Sequence, residues 1–267
     1  MIITQDRLGE IRYNKFGTPM KIVGYRNSMD IDIEFQDKFR YVKEHQSYVN
    51  FKNGGVKNPY DITVYGVGYI GAGKYKPMLN KDVIEQRYND WRNMLGRCYS
   101  EDEREYEVYH CCEVDERWFN YQNFSEWFEE NKYECDERLQ VDKDILFPNC
   151  KIYSPETCLL VPHRINALFM NKKNNRGLPN GIRRTKSGKY SAKYNLENLG
   201  TYDTLEEAYA IYSIKKKENI LRYAEEYKNI ISEKVYNALV NYEVRIENDK
   251  NYQKNSNRNS IQWWFVR

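Results

Sequence analysis

Basic side chains cluster in one short stretch of the sequence, residues 181–195. Arg183 and Lys193 lie near its two ends, and Lys186 and Lys189 lie between them. Ammonium and guanidinium groups bind phosphate oxygens, and an arginine can also donate two parallel hydrogen bonds to a guanine edge. The stretch therefore predicts a surface for nucleic acid if its elements direct these side chains to one side. A solvated basic face is the alternative interpretation.

Two strands joined by a hairpin turn are predicted to position these side chains. Ser187-Gly188 is typical of such a turn and follows a short basic strand that starts at Gly181. In the next strand, four apolar or aromatic residues alternate with polar ones: Tyr190, Ala192, Tyr194 and Leu196. Successive side chains of a strand point to opposite faces, so Ser191, Lys193 and Asn195 are predicted on the other face.

A third strand and a helix complete this unit. Residues 199–202 are predicted as strand, and Thr204 followed by Glu207 is a capping box, which predicts the start of a helix. The helix carries one apolar stripe, formed by Leu205, Ala208, Ile211 and Tyr212. This stripe can cover the apolar face of the sheet and leave the basic face open. A small β-ribbon of this kind fits the major groove of B-DNA.

The stretch from Gly181 to Tyr212 resembles the plant Apetala/ethylene-response-factor (ERF) DNA-binding domain. The resemblance rests on GIRR, the SGK turn, YSAKY and LGTYDTLEEAYAIY. In that family the sheet enters the major groove, which implies double-stranded DNA as the partner. The positions that match DNA-contacting ones are Gly181, Arg183, Lys193 and Asn195, and Arg184, Lys186 and Lys189 complete the predicted DNA-binding surface. Departures from the plant pattern at Thr185, Ser187, Lys193 and Asn195 mean that the plant sequence preference is not carried over.

Carboxylates in residues 139–169 are a second set of residues that could do chemistry. Asp142, Asp144 and Glu156 offer the oxygen ligands that Mg²⁺ prefers in proteins. A charged turn with helix-start caps is the alternative and the favoured interpretation. Ser154-Pro155 supports it, because this pair is typical of a cap followed by the first position of a helix or tight turn. His163 lies in a short helix predicted for residues 162–169.

The central part of the chain resembles a phage-encoded family of HNH or homing-type endonucleases. The resemblance rests on Tyr88-x-x-Trp91-x-x-Met94, Cys112-x5-Trp118 and the 139–169 stretch. Such proteins often carry an Apetala/ERF-like domain after the nuclease module, as here. An HNH site needs a metal and a histidine as general base for water. The family's Asp-His pair is matched by Asp142-Lys143, so the histidine is missing; Asp142 and His163 are the catalytic candidates.

Six cysteines lie between Cys98 and Cys158. Structural Zn²⁺ sites usually contain short cysteine pairs, and the chain has no Cys-x-x-Cys. Zn²⁺ is therefore a weaker candidate than Mg²⁺, although His110 lies beside Cys111-Cys112. Buried thiols are expected instead.

Charge and hydropathy narrow the protein class. There are 42 basic and 39 acidic residues, so the net charge of +3 does not by itself indicate nucleic acid, and the argument depends on the local basic stretch. No signal peptide and no apolar run near 18 residues is present, which predicts a protein of the host cell cytosol.

The predicted fold class is α+β, built from five segments. They are a small β domain (1–60), a Gly-rich linker (61–80), a degenerate HNH-like module (81–175), an Apetala/ERF-like domain with a C-terminal helix (176–246) and a polar tail (247–267). The tail ends with Trp263, Trp264 and Phe265, which could bind a host protein, since tryptophan is enriched at interface hot spots. Docking onto the chain's own core is the alternative.

Three functions are expected from these patterns and resemblances. The first is a double-stranded DNA-binding protein of phage or mobile-element type with weak or lost nuclease activity. The second is an active, metal-dependent homing-type endonuclease. The third is a phage-encoded inhibitor that binds a host defence protein.

Overall fold

The computed structural model of the chain describes residues 7–80, 83–101 and 112–252. The described part is a mixed α+β protein with several small sheets, as the sequence predicts. It divides into two compact units, Met1–Glu130 and Asn131–Arg267. The predictions on His110, Cys111, Trp263, Trp264 and Phe265 lie outside the described residues.

An antiparallel four-stranded sheet opens the first unit. Its strands, in spatial order, are β1 (Ile11–Tyr13), β2 (Pro19–Asn27), β3 (Asp30–Phe35) and β4 (Val42–Gln46). Alternation in β3 buries Ile31, Ile33 and Phe35 against Phe51. The sequence predicts that Tyr48 and Phe51 continue the strand pattern, and this is wrong. Ser47 accepts a hydrogen bond from the Asn50 N–H and so caps a short helix, α1 (Tyr48–Lys52).

The glycine-rich segment 61–80 is not the flexible linker that its composition predicts. The Tyr121 N–H donates to the Tyr69 carbonyl at 3.0 Å, which fixes the segment to the following part of the same unit. A Cβ at Gly68 would lie 2.6 Å from a Leu95 methyl. Glycine is therefore needed here for close packing, and the segment belongs to the core of the first unit.

Two helices complete the described part of the first unit. They are α2 (Gln86–Tyr99) and α3 (Tyr121–Asn131), with β5 (Glu113–Val114) and a 3₁₀-helix (Glu116–Phe119) between them in the chain. The aromatic residues that the sequence assigns to a core are buried: Trp91, Trp118, Phe124, Trp127 and Phe128. Glu85 caps α2, so Val83 and Ile84 precede the helix, and both are exposed.

The second unit begins with a strand pair and a short helix. Strand β6 (Leu139–Asp142) pairs antiparallel with β8 (Leu159–Pro162), β7 (Ile152–Tyr153) lies between them in the chain, and α4 (His163–Phe169) follows. The strand end at Asp142 and the short helix agree with the sequence prediction. Ser154 caps a tight turn, because its Oγ accepts from the N–H groups of Glu156 and Thr157, each at 3.2 Å.

A three-stranded antiparallel sheet follows, with its second strand in the middle. Its strands are β9 (Ile182–Arg184), β10 (Tyr190–Tyr194) and β11 (Glu197–Tyr202). The predicted inward position of Leu196 is wrong, since its side chain is 92% exposed. Strand β10 ends at Tyr194, and Asn195-Leu196 form the two-residue turn to β11. Asn195 adopts φ +51°, which such turns require at a central residue.

One long helix joins the cores of the second unit. Helix α5 (Leu205–Glu226) begins with the predicted capping box, in which Thr204 accepts from the Glu207 N–H and Glu207 accepts from the Thr204 N–H. Its first half covers the three-stranded sheet, where Ala208 and Tyr212 join Ile182 and Ala192 in one core. Its second half packs on the preceding module, with Ile220, Ala224, Leu159, Val161 and Ile165 in another core.

The sequence predicts that α5 continues to Tyr242, whereas the structure has a separate helix, α6 (Glu233–Asn241). Ser232 caps α6 by accepting from the Val235 N–H. Lys217 then stabilises the end of α6, because its Nζ donates to the carbonyls of Val240 and Tyr242, each at 2.6 Å. No helix in the described ranges is long and apolar enough to cross a membrane.

The first residues of the predicted polar tail, 247–252, are folded. A 3₁₀-helix (Ile246–Asn248) leads into Asp249 and Asn251, which are both buried. Their side chains bond to the loop that precedes β9: Asp249 accepts from the Asn180 N–H at 2.9 Å, and Asn251 accepts from the Asn174 N–H at 2.7 Å. Residues 247–252 are therefore part of the folded unit.

Candidate nucleic-acid interface

The open face of the three-stranded sheet carries Arg183. In the strand register Arg183 lies opposite Ser191, and Ser191 lies opposite Thr201. Directly paired residues of antiparallel strands share a face, so these three side chains form one row across the sheet. Ile182 and Ala192, the neighbours of this row, are fully buried on the other face. Arg183 is exposed, as the sequence predicts.

Lys193 extends the same face along the central strand. It follows Ser191 by two residues and is exposed. Its N–H donates to the Gly181 carbonyl at 2.8 Å, which holds this end of β10 against the chain before β9. Arg183 and Lys193 therefore lie on one side of the sheet, opposite the side that α5 covers.

Arg184 does not share this face. It pairs with Tyr190 and follows the buried Ile182 by two residues, so its side chain starts from the face that α5 covers. The side chain is nevertheless exposed at the rim, where Nε lies 3.5 Å from the Gly188 carbonyl. The sequence places Arg184 in the DNA-binding surface, but the geometry separates it from Arg183.

The hairpin between β9 and β10 carries the two remaining predicted cations. Lys186 is exposed in the turn. Lys189 forms an ion pair with Asp203 at 2.7 Å, and hydrogen bonding to this carboxylate raises the pKa of the Lys189 ammonium above its ordinary value. Both side chains of the pair are largely exposed, so the pair is weak. A phosphate at Lys189 would compete with Asp203.

A basic groove lies at one end of the sheet, with a volume of about 300 Å³. Its lining includes three cations (Arg176, Arg183 and Lys193) together with Gly181, Asn195 and Tyr212. No carboxylate is among the residues that line it. This basic groove has a positive potential that suits an anion.

Gly181 is a structural requirement of the basic groove. Its φ is +82°, and a Cβ there would lie 2.3 Å from the Tyr212 ring and 2.7 Å from the Lys193 carbonyl. The absence of a side chain lets the chain before β9 lie on Tyr212. This packing explains the glycine at a position that the Apetala/ERF resemblance assigns to DNA contact.

Asp142, the first candidate for a metal ligand, is buried at the end of β6. Its Oδ1 accepts from the N–H groups of Asp144 and Ile145 at 2.9 and 2.8 Å, so the carboxylate stabilises the turn. Burial, with the charge of Asp144 as a further cause, raises the pKa of Asp142 to about 6. Lys143, which stands where the HNH pattern has histidine, is also buried, and its Nζ donates to Asp144 at 2.8 Å.

The predicted metal ligands are not gathered into one group. Within the described ranges, the group of three possible ligand atoms that lie within 4.8 Å of one another is Asp30, Asp32 and His45 in the first unit. Arg26 already pairs with both aspartates of that group, at 2.7 Å to Asp30 and 2.5 Å to Asp32. Asp142, Asp144 and Glu156 do not form such a group.

His163 lies far from Asp142 along the strand pair. It is the exposed first residue of α4, and its N–H donates to the Arg138 carbonyl at 3.1 Å. Arg138 precedes Asp142 by four residues, which corresponds to about 14 Å of strand at roughly 3.4 Å per residue. Nδ1 of His163 instead lies 3.3 Å from Oε1 of Gln140. The fold therefore does not bring the two catalytic candidates together.

Comparisons with protein-family models, with curated proteins and with solved structures found no match.

Two of the described cysteines, Cys112 and Cys158, are buried thiols, as the sequence predicts, whereas Cys98, Cys135 and Cys150 are partly exposed. Burial raises the pKa of the Cys158 thiol to about 12, so it stays protonated. None of these five belongs to a possible metal group.

Arg176 is the residue of the basic groove that the sequence did not single out. It lies in the polar loop 171–180, outside the region that resembles the Apetala/ERF domain. Lys172 and Lys173 in the same loop indicate that the loop is charged. The spacing of these residues does not predict which cation faces the sheet.

Proposed function

We propose that the chain binds double-stranded DNA through the open face of β9–β11 and the adjoining basic groove, and that its central module has weak or lost nuclease activity. The observation that carries this proposal is the joint position of Arg183 and Lys193 on the face opposite α5. A three-stranded ribbon with one free basic face suits the major groove, where Arg183 can pair with guanine. The resemblance to the Apetala/ERF domain and to phage-encoded HNH proteins supports the same function.

Arg183→Ala is expected to weaken binding to a preferred duplex by roughly 1–3 kcal/mol and to reduce the difference between sites. Arg183→Lys is the matched variant, because lysine keeps the charge but cannot form two parallel hydrogen bonds to guanine. It should retain the salt dependence and still lose the preference between sites. Fluorescence anisotropy with a selected duplex and a scrambled duplex, at several salt concentrations, measures both effects.

Lys52→Ala controls for net charge, because Lys52 is exposed at the end of α1 in the first unit. It should leave binding at the wild-type level. Equal, unchanged binding by Arg183→Ala and Lys52→Ala would mean that the sheet is only a solvated basic face.

The central module is expected not to cut DNA at an appreciable rate. The buried position of Asp142 as a turn acceptor and its separation from His163 support this expectation. Supercoiled plasmid incubated with Mg²⁺ or Mn²⁺ should remain supercoiled, as it does with EDTA. Metal-dependent nicking that disappears in Asp142→Ala, with the fold intact by circular dichroism, would instead support the metal-dependent endonuclease.

A further inference from the structure

We propose that Arg176 and Lys193, beside Arg183, form a binding site for one phosphate group, and that the side chains of Asp249 and Asn251 position Arg176 for it. This inference rests on the proposed function and names the chemical group that the basic groove takes. In duplex DNA the ligand is one backbone phosphodiester beside the sheet, and inorganic phosphate shares its chemistry.

The cations of the basic groove differ from their neighbours in having no carboxylate partner. Within the described part of the chain, Arg176, Arg183 and Lys193 form no ion pair, and no acidic residue lines the groove. The nearby Lys189 and Lys215 are paired with Asp203 and Glu197. Three like charges around one small concavity repel one another, and a bound anion relieves this repulsion.

Phosphate geometry suits this set of donors. The guanidinium group of arginine presents a planar fork of N–H donors that can bind two phosphate oxygens at once, and lysine adds a further charge-assisted donor. The Asn195 amide at the rim can donate as well.

Hydrogen bonds from the C-terminal segment hold the loop that carries Arg176. Asn251 accepts from the Asn174 N–H at 2.7 Å, and Asn174 in turn accepts from the Arg176 N–H at 2.9 Å. On the other side of the loop, Asp249 accepts from the Asn180 N–H at 2.9 Å. Asp249 and Asn251 are also bonded to each other at 3.0 Å and are buried. The loop is therefore fixed before a ligand arrives, which lowers the entropic cost of binding.

Arg176→Ala tests the phosphate site directly. Losing one phosphate contact should lower the salt slope of duplex binding by about one unit and weaken binding roughly tenfold, equally for all sequences. Lys250→Ala is the matched control, because Lys250 is exposed on the same C-terminal segment but does not line the basic groove. It should keep the wild-type slope.

Duplexes with single methylphosphonate replacements identify the phosphate. At one position the replacement should weaken binding by the wild-type chain clearly more than binding by Arg176→Ala, which keeps Lys193 but has lost the arginine contact. If Arg176→Ala behaved like Lys250→Ala while Arg183→Ala weakened binding, the phosphate site would be wrong and the proposed function would stand.

Inorganic phosphate tests the phosphate site independently of DNA binding. If the wild-type chain did not bind duplex DNA, the proposed function would fail. Millimolar phosphate that raises the melting temperature of the wild-type chain, but not of Arg176→Ala, would still support the anion site. No phosphate effect in either chain would overturn it.

Two truncations test the positioning role of the C-terminal segment. A chain that ends at Tyr252 should bind DNA like the full chain, whereas a chain that ends at Asn248 should bind as weakly as Arg176→Ala. In the Arg176→Ala background, ending the chain at Asn248 should cause no further loss of DNA affinity, because both changes remove the same interaction. Full additivity of the two losses would contradict the positioning role.

Discussion

Gly181→Ala is expected to unfold the three-stranded sheet from α5, with a loss of more than about 3 kcal/mol in the free energy of unfolding. The left-handed backbone costs an L-residue about 1–2 kcal/mol by itself. The new Cβ would also lie 2.3 Å from the Tyr212 ring and 2.7 Å from the Lys193 carbonyl. The Tyr212 ring is buried, and the Lys193 N–H donates to the Gly181 carbonyl, so neither neighbour can move away from residue 181 without disturbing the core.

Gly188→Ala is the matched control for backbone strain. Gly188 has φ +85°, close to that of Gly181, but a Cβ there would meet no atom within 4 Å. The variant should lose only the cost of the left-handed conformation. The difference between the two variants therefore measures the clash with Tyr212 and Lys193.

Hydrogen–deuterium exchange of the peptide 190–202 reports on this sheet separately from the first unit. Gly181→Ala should exchange nearly as an unfolded peptide, and Gly188→Ala should remain protected. Similar protection in the two variants would show that the chain before β9 can withdraw from Tyr212 at little cost.

The elements of this sheet could be predicted because their signals are local. The capping box at Thr204 and the Ser187-Gly188 turn each depend on a few adjacent residues, and both are present. The position of Leu196 could not be predicted in the same way. Alternate residues share a face only while the strand continues. The strand ends at Tyr194, and no residue type there indicates that end.

Composition misassigned the segment 61–80 for a related reason. Glycine is frequent in flexible linkers, but it is equally required where two elements approach closely. Gly68 lies against Leu95 and Trp91, and Gly71 lies against Asn120. These contacts are distant in sequence, so spacing within the segment carries no signal of them.

The basic groove could be predicted only in part. Arg183 and Lys193 follow from strand parity, but Arg176 depends on bonds to Asn251, 77 residues away from Asn174. In the central module the sequence indicated a strand end at Asp142. Whether that carboxylate faces solvent, a metal or the backbone depends on how deeply it is buried. The alternation of residues along a strand does not predict this.

Asp142→Asn is expected to make the protein more stable at pH 7.5 by up to about 3 kcal/mol, with little change at pH 4. Burial holds the pKa of Asp142 near 6 in the folded state, against an ordinary value near 3.8. Between these two values the folded chain binds a proton that the unfolded chain releases, so this group's contribution to stability falls as pH rises. A difference of about 2 between the folded and unfolded pKa values corresponds to roughly 3 kcal/mol.

The asparagine side chain keeps the local hydrogen bonds. Its Oδ1 can still accept from the N–H groups of Asp144 and Ile145, so the turn is retained without a buried charge. Asp142→Ala removes this acceptor as well as the charge, and should be less stable than Asp142→Asn by about 1–3 kcal/mol at every pH. Asp144→Asn is the control for charge, because Asp144 is partly exposed and pairs with Lys143. It should change the pH dependence only in part, because burial, the larger cause of the raised Asp142 pKa, remains.

Chemical denaturation at intervals between pH 4 and pH 7.5 measures the difference between wild type and Asp142→Asn. Carboxylates with lowered pKa values, such as Asp30 and Asp115, stabilise the fold more as pH rises. Both chains contain them, so their contribution cancels in the difference between wild type and Asp142→Asn. Adding 10 mM Mg²⁺ should leave the difference unchanged. If Mg²⁺ stabilised only the wild-type chain at pH 7.5, Asp142 would be ionised and bound to metal, and its role as a turn acceptor would be secondary.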